Sequence, residues 1–315
     1  MTTALVMGVN GQDGVFLARH LAARGYDVVG VARQDRPSPR LDGLPVTYVP
    51  LDLGQPDAQS AQLAEHRPAL ALHAAAVHGS ADSRFEPDFL RMLAVNCGSL
   101  HPLLEHARLA DPAMRIVYIS SSKVFGPRYP AVVNERSPRT ASCLYTTSKM
   151  AAEGLLSHYR RAHGVKASIL YTFNHESEFR QPSFFTAKLA DALAQALRSP
   201  EHRSTFMTLD FHCDWGSASE FMDLACDIAE KAIGEDVVLG SGTTVFARTV
   251  ARDFFAKHGL ELDRHVVTTQ PPRPDRKDDI YQVDIAALER LTGRRPALSI
   301  LDVLDHMLAA RQAEL

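Results

Sequence analysis

Tyr145 and Lys149 stand four residues apart at the start of a stretch with helical spacing, so both side chains project from one face. A lysine cation within a few ångström favours a phenolate, which brings a tyrosine down from about 10 toward the range of a general base. This is proton-handling chemistry. A Tyr-x-x-x-Lys spacing alone also describes two unrelated surface residues, so its meaning depends on its surroundings. Upstream, Ser120, Ser121 and Ser122 close the apolar run RIVYI. A hydroxyl at such a strand end can hydrogen-bond an oxygen that is being oxidised, although the same serines would also serve as a polar turn.

The N-terminal stretch supplies the context. Ala4 to Met7 is an apolar run, and glycines follow at Gly8, Gly11 and Gly14. An amphipathic stretch then leads to a second apolar run, Val28 to Ala32, which ends at Arg33. The pattern reads as strand, tight turn, helix, strand. A turn without side chains lets the backbone approach a pyrophosphate, and the helix behind it offers unpaired N–H groups and the positive end of its dipole. A glycine triplet by itself could equally mark a loop that needs positive φ; the flanking strands and helix favour the phosphate-binding turn.

The alternation continues. After the polar connection QDRPSPRLDGLP, VTYVPLDL is a short strand. DAQSAQLAEHRPA suits a modest helix before the strand Leu70 to Ala75. FEPDFLRMLAVNCGSLHPLLEHARLADP is a long helical pattern with Phe89, Met92, Leu93, Leu100, Leu103 and Leu104 apolar. RIVYISSS is a strand, TTSKMAAEGLLSHYRRAHG a helix stopped by Gly164, and VKASILYTF a strand. This predicts an α/β fold with a doubly wound, mostly parallel sheet whose ligands lie at the carboxyl ends of its strands. Beyond residue 175 the order is less regular. FFTAKLADALAQALRS reads as a helix, FMTLDFHCDW as strand and loop, and SASEFMDLACDIAEKAIG as a serine-capped helix. A helix at Thr249 to His258, the connection QPPRPDRKDD, and helices around Ile285 to Leu291 and Ile300 to Arg311 close the chain. We expect one domain from 1–175 and 214–240, and a smaller discontinuous α/β cap from 176–213 and 241–315 over the ligand edge.

Composition limits the partners. The 315 residues are 45% apolar and 23% charged, an ordinary globular balance. A formal charge of −3 leaves no footprint for nucleic acid or an anionic membrane. Cys97, Cys143, Cys213 and Cys226 lie far apart, without zinc or redox spacing. No basic leader precedes the first strand and no apolar run approaches the length of a membrane span. A cytoplasmic protein with reduced thiols, no metal and a small-molecule partner is the expectation. Among the histidines, His73 lies in the strand LALHAAA and reads as a core residue, whereas His78 in AAVHGSAD falls at the ligand edge.

Taken together these residues resemble the extended short-chain dehydrogenase/reductase family, most closely its GDP-mannose 4,6-dehydratase group, over essentially the whole chain. GVNGQDG is similar to that group's glycine loop, VNCGSL to its mid-helix asparagine segment, SSSKVFG to its strand end and YTTSK to its catalytic pair. FNHES, DWGSASEFMD and RPDRKDD are further matches, and FNHES with DWG is more particular to the group than Tyr-x-x-x-Lys. The resemblance implies a Rossmann domain holding a nicotinamide cofactor. Its pyrophosphate would lie on Gly8, Gly11 and Gly14, with Gln12 and Asp13 of the same loop. Asp52 and Leu53 would lie near the adenine, Asn96 would be a further cofactor contact, and Lys149 would be near the nicotinamide ribose. Arg33 matches an arginine that meets the adenosine 2′-phosphate. An arginine rather than an acidic residue after the second strand independently favours NADP. Tyr145 would take the proton from a sugar 4-hydroxyl oriented by Ser121 while hydride leaves C4. For a nucleotide-diphosphate sugar, GDP-hexose by family default, the implied contacts are Ser122, Asn174, His175, Lys188, Arg273 and Arg276. A homodimer through two long helices per subunit is implied, with a tetramer as the alternative.

The chain departs from the pattern at informative positions. A 4,6-dehydratase needs a glutamate to remove the C5 proton, and aligning SSSKVFG by its glycine puts Lys123 there. Either a desolvated lysine with a depressed pKa replaces that base, or Lys123 is a solvated strand-end residue and the elimination is gone. The arginine expected before DWG is Cys213, the late glutamate is Arg276, and Gln34 stands where a second arginine is usual. These changes alter which diphosphate nucleotide fits and weaken the case for a tetramer. Three functions follow: an NADP-dependent enzyme acting at C4 of a nucleotide sugar, a true 4,6-dehydratase with a substituted base, or a binding protein that no longer turns over.

Overall fold

A computed structural model describes residues 2–78, 86–231, 233–271 and 280–313. Its centre is a seven-stranded parallel sheet in the order β11-β7-β5-β4-β1-β2-β3. The first half runs β1 (Thr3–Met7), α1 (Gln12–Ala23), β2 (Asp27–Ala32), β3 (Val46–Pro50), α2 (Pro56–His66) and β4 (Leu70–His73). Next come α3 (Phe89–Leu93), α4 (Leu100–Leu109), β5 (Arg115–Ile119), the short β6 (Val132–Val133), α5 (Leu144–His163) and β7 (Lys166–Thr172). The central strands are continuous apolar runs because helices cover both faces: Ala4 to Met7, Leu70 to Leu72 and Ile116 to Ile119 are all buried. Connections leave β1 and β4 toward opposite sides of the sheet, and the crevice at their carboxyl ends is the topological switch point where ligands bind in such folds.

The helical stretch that reads as continuous from the sequence is interrupted. A π turn at Ala94–Gly98 separates α3 from α4. The turn frees the Asn96 carbonyl, which accepts from the Tyr118 hydroxyl at 2.7 Å. At α5 the helix start is fixed by Thr146, whose Oγ1 accepts from the Ser142 and Cys143 amides at 2.9 and 3.0 Å. The helix end is fixed by Gly164, at φ 67. These two ends put Tyr145 in the first turn, one residue inside the helix.

The remaining elements are β8 (Asn174–Glu176), α6 (Phe185–Arg198), β9 (Ser204–Phe206), β10 (His212–Ser217), α7 (Ala218–Lys231), β11 (Val237–Leu239) and β12 (Thr244–Phe246). They are followed by α8 (Ala247–Lys257), α9 (Leu262–His265), β13 (Val266–Thr268), β14 (Gln282–Val283), α10 (Ala286–Thr292) and α11 (Ile300–Ala313). β10 pairs with β8 and β12 in a small second sheet. A second core forms around Leu193, Trp215, Phe254, Phe255 and Leu304, whereas Tyr281, Val283, Ile285 and Leu288 pack into the core of the large sheet. α7 lies against α1, joined by Arg24, which meets Asp223, Asp227 and Glu230 at 2.7, 3.0 and 2.6 Å. All four cysteines are free. Among the described residues no helix is long and apolar enough to cross a membrane.

Candidate active site

A cleft of about 590 Å³ opens at the switch point, lined by the loops that follow β1, β2, β4, β5 and β7 and by the start of α5. Its floor is the glycine turn. A Cβ on Gly14 would lie 2.2 Å from the Gly8 carbonyl oxygen, and one on Gly8, which has φ +89, would lie 2.7 Å from the Ala75 Cα. Both glycines are required for the turn to close against the end of β4. Gly11 is different: a Cβ there would meet only the Gly8 oxygen, at 3.3 Å. It caps α1, and the amides of the helix's first turn have no intrahelical partner. The bare backbone and the donors of Gly11 to Gly14, all lining the cleft, fit a diphosphate.

Tyr145, Ser121 and Lys149 come together on the wall of this cleft. The Tyr145 hydroxyl is hydrogen-bonded to Ser121, just past the end of β5. Lys149 is buried and donates to the Ile119 carbonyl at 2.8 Å, with its Nζ 4.5 Å from the Tyr118 ring centre and 5.9 Å from that of Tyr145. The spacing argument predicts a tyrosine brought down by the lysine charge, and the structure corrects it. Burial pushes Tyr145 up to about 12, against the Ser121 hydrogen bond, and pushes Lys149 down to about 7, against the charges of Glu153 and Asp13. Desolvation outweighs the pairing because the ammonium is committed to a carbonyl rather than to the phenol.

Behind the pair stands a residue that the sequence reading missed. Glu153, one turn beyond Lys149 on the same face of α5, accepts from the Ser120 hydroxyl at 2.7 Å and is itself pushed up by burial. The signal was the repeat of the four-residue spacing.

The segment FNHES crosses the mouth of the glycine turn as β8. His175 Nε2 lies 3.0 Å from Asp13 Oδ1, and Nδ1 lies 2.7 Å from the Phe173 carbonyl. Gln12 donates to the His175 carbonyl at 3.1 Å and accepts from Ser177 at 2.8 Å. Burial would push Asp13 up, but the His175 charge and hydrogen bond, with Gln12 and Arg180, hold it at about 2. Burial would push His175 down, but Asp13 raises it above the ordinary imidazole value.

Of the other expected residues, Arg33, Asp52, Leu53, Lys123 and Asn174 line the cleft. Lys123 is exposed. Asn96 is not a cleft residue. It is buried, accepting from the Val77 amide at 2.7 Å and donating to the Val77 carbonyl and Ser148 at 3.1 and 3.0 Å. Ser122 is also buried, paired with Tyr129 at 3.0 Å. Lys188 is exposed on α6 outside the cleft lining. Arg273 and Arg276 lie outside the described residues. Cys213 is buried with its sulfur 2.8 Å from Asn174 Nδ2, so Asn174 is partly committed to the position that departs from the family pattern.

His73 is a core residue, its Nε2 2.6 Å from Ser99 Oγ, and burial pushes it down to about 3. His78 lines the cleft and is exposed; partial desolvation and the charges of Arg180, Lys149 and Lys123 lower its pKa, Asp13 opposing. Two further lining residues had no sequence signal strong enough to single them out. Asn10 holds the loop after β2 by accepting from the Ser38 amide at 2.8 Å and donating to Gln34 and Tyr48 at 3.2 Å. The Arg180 guanidinium lies 3.7 Å from the Phe184 ring centre.

Comparison with known proteins gives consistent results. The sequence profile of the GDP-mannose 4,6 dehydratase family matches residues 5–307. A GDP-mannose 4,6-dehydratase of Sinorhizobium fredii is 26% identical over 275 residues, covering 82% of this chain and 77% of that protein. Among solved structures, a UDP-glucose 4-epimerase from Thermotoga maritima with UDP-glucose has a TM-score of 0.84 at 17% identity, covering 99% of each chain. RMD from Pseudomonas aeruginosa complexed with NADPH has a TM-score of 0.79 at 22% identity, covering 99% of this chain and 100% of that one. The structural likenesses establish the fold.

Proposed function

The chain belongs to the GDP-mannose 4,6-dehydratase family, and from that premise we propose that it is an NADP-dependent enzyme acting at C4 of a nucleotide-diphosphate sugar by hydride transfer. The observation that carries this reading is the hydrogen-bonded Tyr145–Ser121 pair above Lys149 in the same cleft as the glycine turn. Gly8, Gly11, Gln12, Asp13 and Gly14 would hold the cofactor diphosphate, Asp52 and Leu53 the adenine side, and Lys149 the nicotinamide ribose. Arg33, exposed and lining the cleft just past β2, supports NADP over NAD, because a fixed cation there suits a 2′-phosphate. The nicotinamide, when bound, accepts or returns the hydride.

The chain's own residues handle the proton. Burial pushes Tyr145 up to about 12, so the phenol is the form present at neutral pH. Reduction of a 4-keto sugar therefore needs no prior deprotonation: the hydroxyl gives its proton to the C4 oxygen while Ser121 orients that oxygen. Oxidation of a 4-hydroxyl requires the proton to leave Tyr145 first. Asn174 borders the same cleft and is the contact we assign to the nucleotide-sugar side, GDP-hexose being the family default, whereas both ring nitrogens of His175 are already engaged.

Elimination is not part of this reading. An exposed lysine, Lys123, stands where the family pattern has the glutamate that removes the C5 proton, which favours C4 oxidation, 4-keto reduction or C4 epimerisation over 4,6-dehydration. A homodimer built on α4 and α5 completes the proposal, checked by the mass in solution. To test the reaction, purified protein and NADP are incubated with GDP-, UDP- and CDP-hexoses while the reduced-cofactor absorbance and the sugar mass are followed. Loss of a hydrogen pair, or conversion at C4 without mass change, supports the reading. Loss of water with Lys123 in place overturns its account of elimination, and full activity in Tyr145→Phe overturns it altogether.

A further inference from the structure

His175 is held between two acceptors. One ring nitrogen faces the Phe173 carbonyl at 2.7 Å and the other faces the Asp13 carboxylate at 3.0 Å. A neutral imidazole has one N–H and can satisfy only one of them; both bonds are made only when the ring carries two protons. The ring is largely buried, with 12% of its side chain exposed, and Phe221 of α7 packs on it at 5.6 Å between ring centres. The partner carboxylate lies in the first turn of α1, among the backbone donors that fit a diphosphate. A carboxylate there competes electrostatically with the phosphate charge unless a cation neutralises it.

We propose that His175 is a positioning residue that works as an imidazolium: its second proton neutralises Asp13 and so removes negative charge from the glycine turn that receives the cofactor diphosphate, and cofactor affinity falls when that proton is lost. The proposal rests on the dinucleotide reading of the cleft. The charged groups facing the pair are Glu176 of β8 and Arg180 beyond it, with Tyr145 and Lys149 of α5 and His78 also coupled to Asp13. Glu176 is tied to Thr186 at 2.6 Å and to Arg180 at 3.1 Å, and Arg180 acts on Asp13 only as a weaker, unbonded charge beside the direct His175 contact. Gln12, bonded to both the His175 carbonyl and Ser177, keeps β8 in register over the turn when the charge is removed. Loss of the proton therefore changes the electrostatics of the turn more than its shape.

The test combines two measurements. Nitrogen-15 histidine spectra of the protein without cofactor are to show His175 doubly protonated at pH 7, with a titration that moves to lower pH in Asp13→Asn. Dissociation constants for NADP and NAD are measured from pH 6 to 9 in wild type, Asp13→Asn and His175→Asn. The cofactor's own ionisation cancels between variants at each pH. Binding to wild type weakens about tenfold across the His175 titration, the equivalent of one pKa unit of coupling. It stays within about twofold in Asp13→Asn over this pH range, because without the carboxylate the ring loses its second proton at lower pH. A singly protonated ring at pH 7, or equal pH slopes in wild type and Asp13→Asn, overturns the role of His175. Failure of wild type and both variants to bind either dinucleotide at any pH overturns the dinucleotide reading itself, and with it the proposal.

Discussion

The Lys149 ammonium lies 5.9 Å from the centre of the Tyr145 ring and gives its hydrogen bond to the Ile119 carbonyl. It is a charge enclosed by protein, and its chief effect on the fold is a cost. Burial moves its pKa from 10.5 in an unfolded chain to about 7. Between those values the unfolded chain binds the extra proton, so stability rises with pH; the full penalty is present below pH 7 and vanishes above 10.5. Lys149→Met removes it. Urea denaturation at pH 6 is therefore expected to show the variant more stable than wild type by about 2–4 kcal/mol. The gap closes as pH rises from 7 to 10, while turnover is lost.

Tyr145→Phe removes one hydroxyl from a half-buried ring on the cleft wall and leaves the Ser121 hydroxyl in place. Turnover is expected to fall about 10²–10⁴-fold, the usual contribution of a positioned acid or base. Cofactor affinity should change little. Steady-state rates with the responsive nucleotide sugar, beside a cofactor titration, separate the two effects; a parallel loss of both would assign the residue to binding instead.

The glycines of the turn differ in what they do. Gly14→Ala drives a methyl to 2.2 Å from the Gly8 oxygen and is expected to cost about 2–3 kcal/mol in a denaturant melt. Gly11→Ala meets only one atom, at 3.3 Å. It should fold within about 1 kcal/mol of wild type and lose dinucleotide affinity through the methyl placed on the cleft floor.

Lys123→Glu restores the residue type that elimination requires, at an exposed position that lines the cleft. The expected outcome is a product lighter by one water, detected by mass spectrometry with the sugar that wild type accepts. If only the wild-type product forms, then the lysine is not what removed the dehydration step.

The large sheet was legible wherever a strand carried a full apolar run, as in β1, β2, β4, β5 and β7. β11 was not, because three residues, Val237 to Leu239, give no periodicity to read. The π turn was hidden for a related reason: it leaves the apolar spacing within α3 and within α4 unchanged. The same limit applies to the site. Residue types and spacing located Tyr145, Ser121, Lys149 and the glycines, but spacing carries no information about burial. It therefore gave the wrong sign for the Tyr145 shift and left Lys123 open between a base and a solvated cation. Asn96 and Ser122 were expected as contacts from the family resemblance of VNCGSL and SSSKVFG; their side chains point into the interior, toward Val77 and Tyr129.

The ties from Gln12 and Asp13 to His175 and Ser177 span 162 to 165 positions of sequence. At a synthesis rate of about 5–20 residues per second, the turn that emerges first from the ribosome waits on the order of 10–30 seconds for the strand that fastens it. During that interval a nascent chain already carries the dinucleotide signature without the contacts that give it its final shape. The contacts that shape the floor of the cleft are thus completed only once β8 has been made.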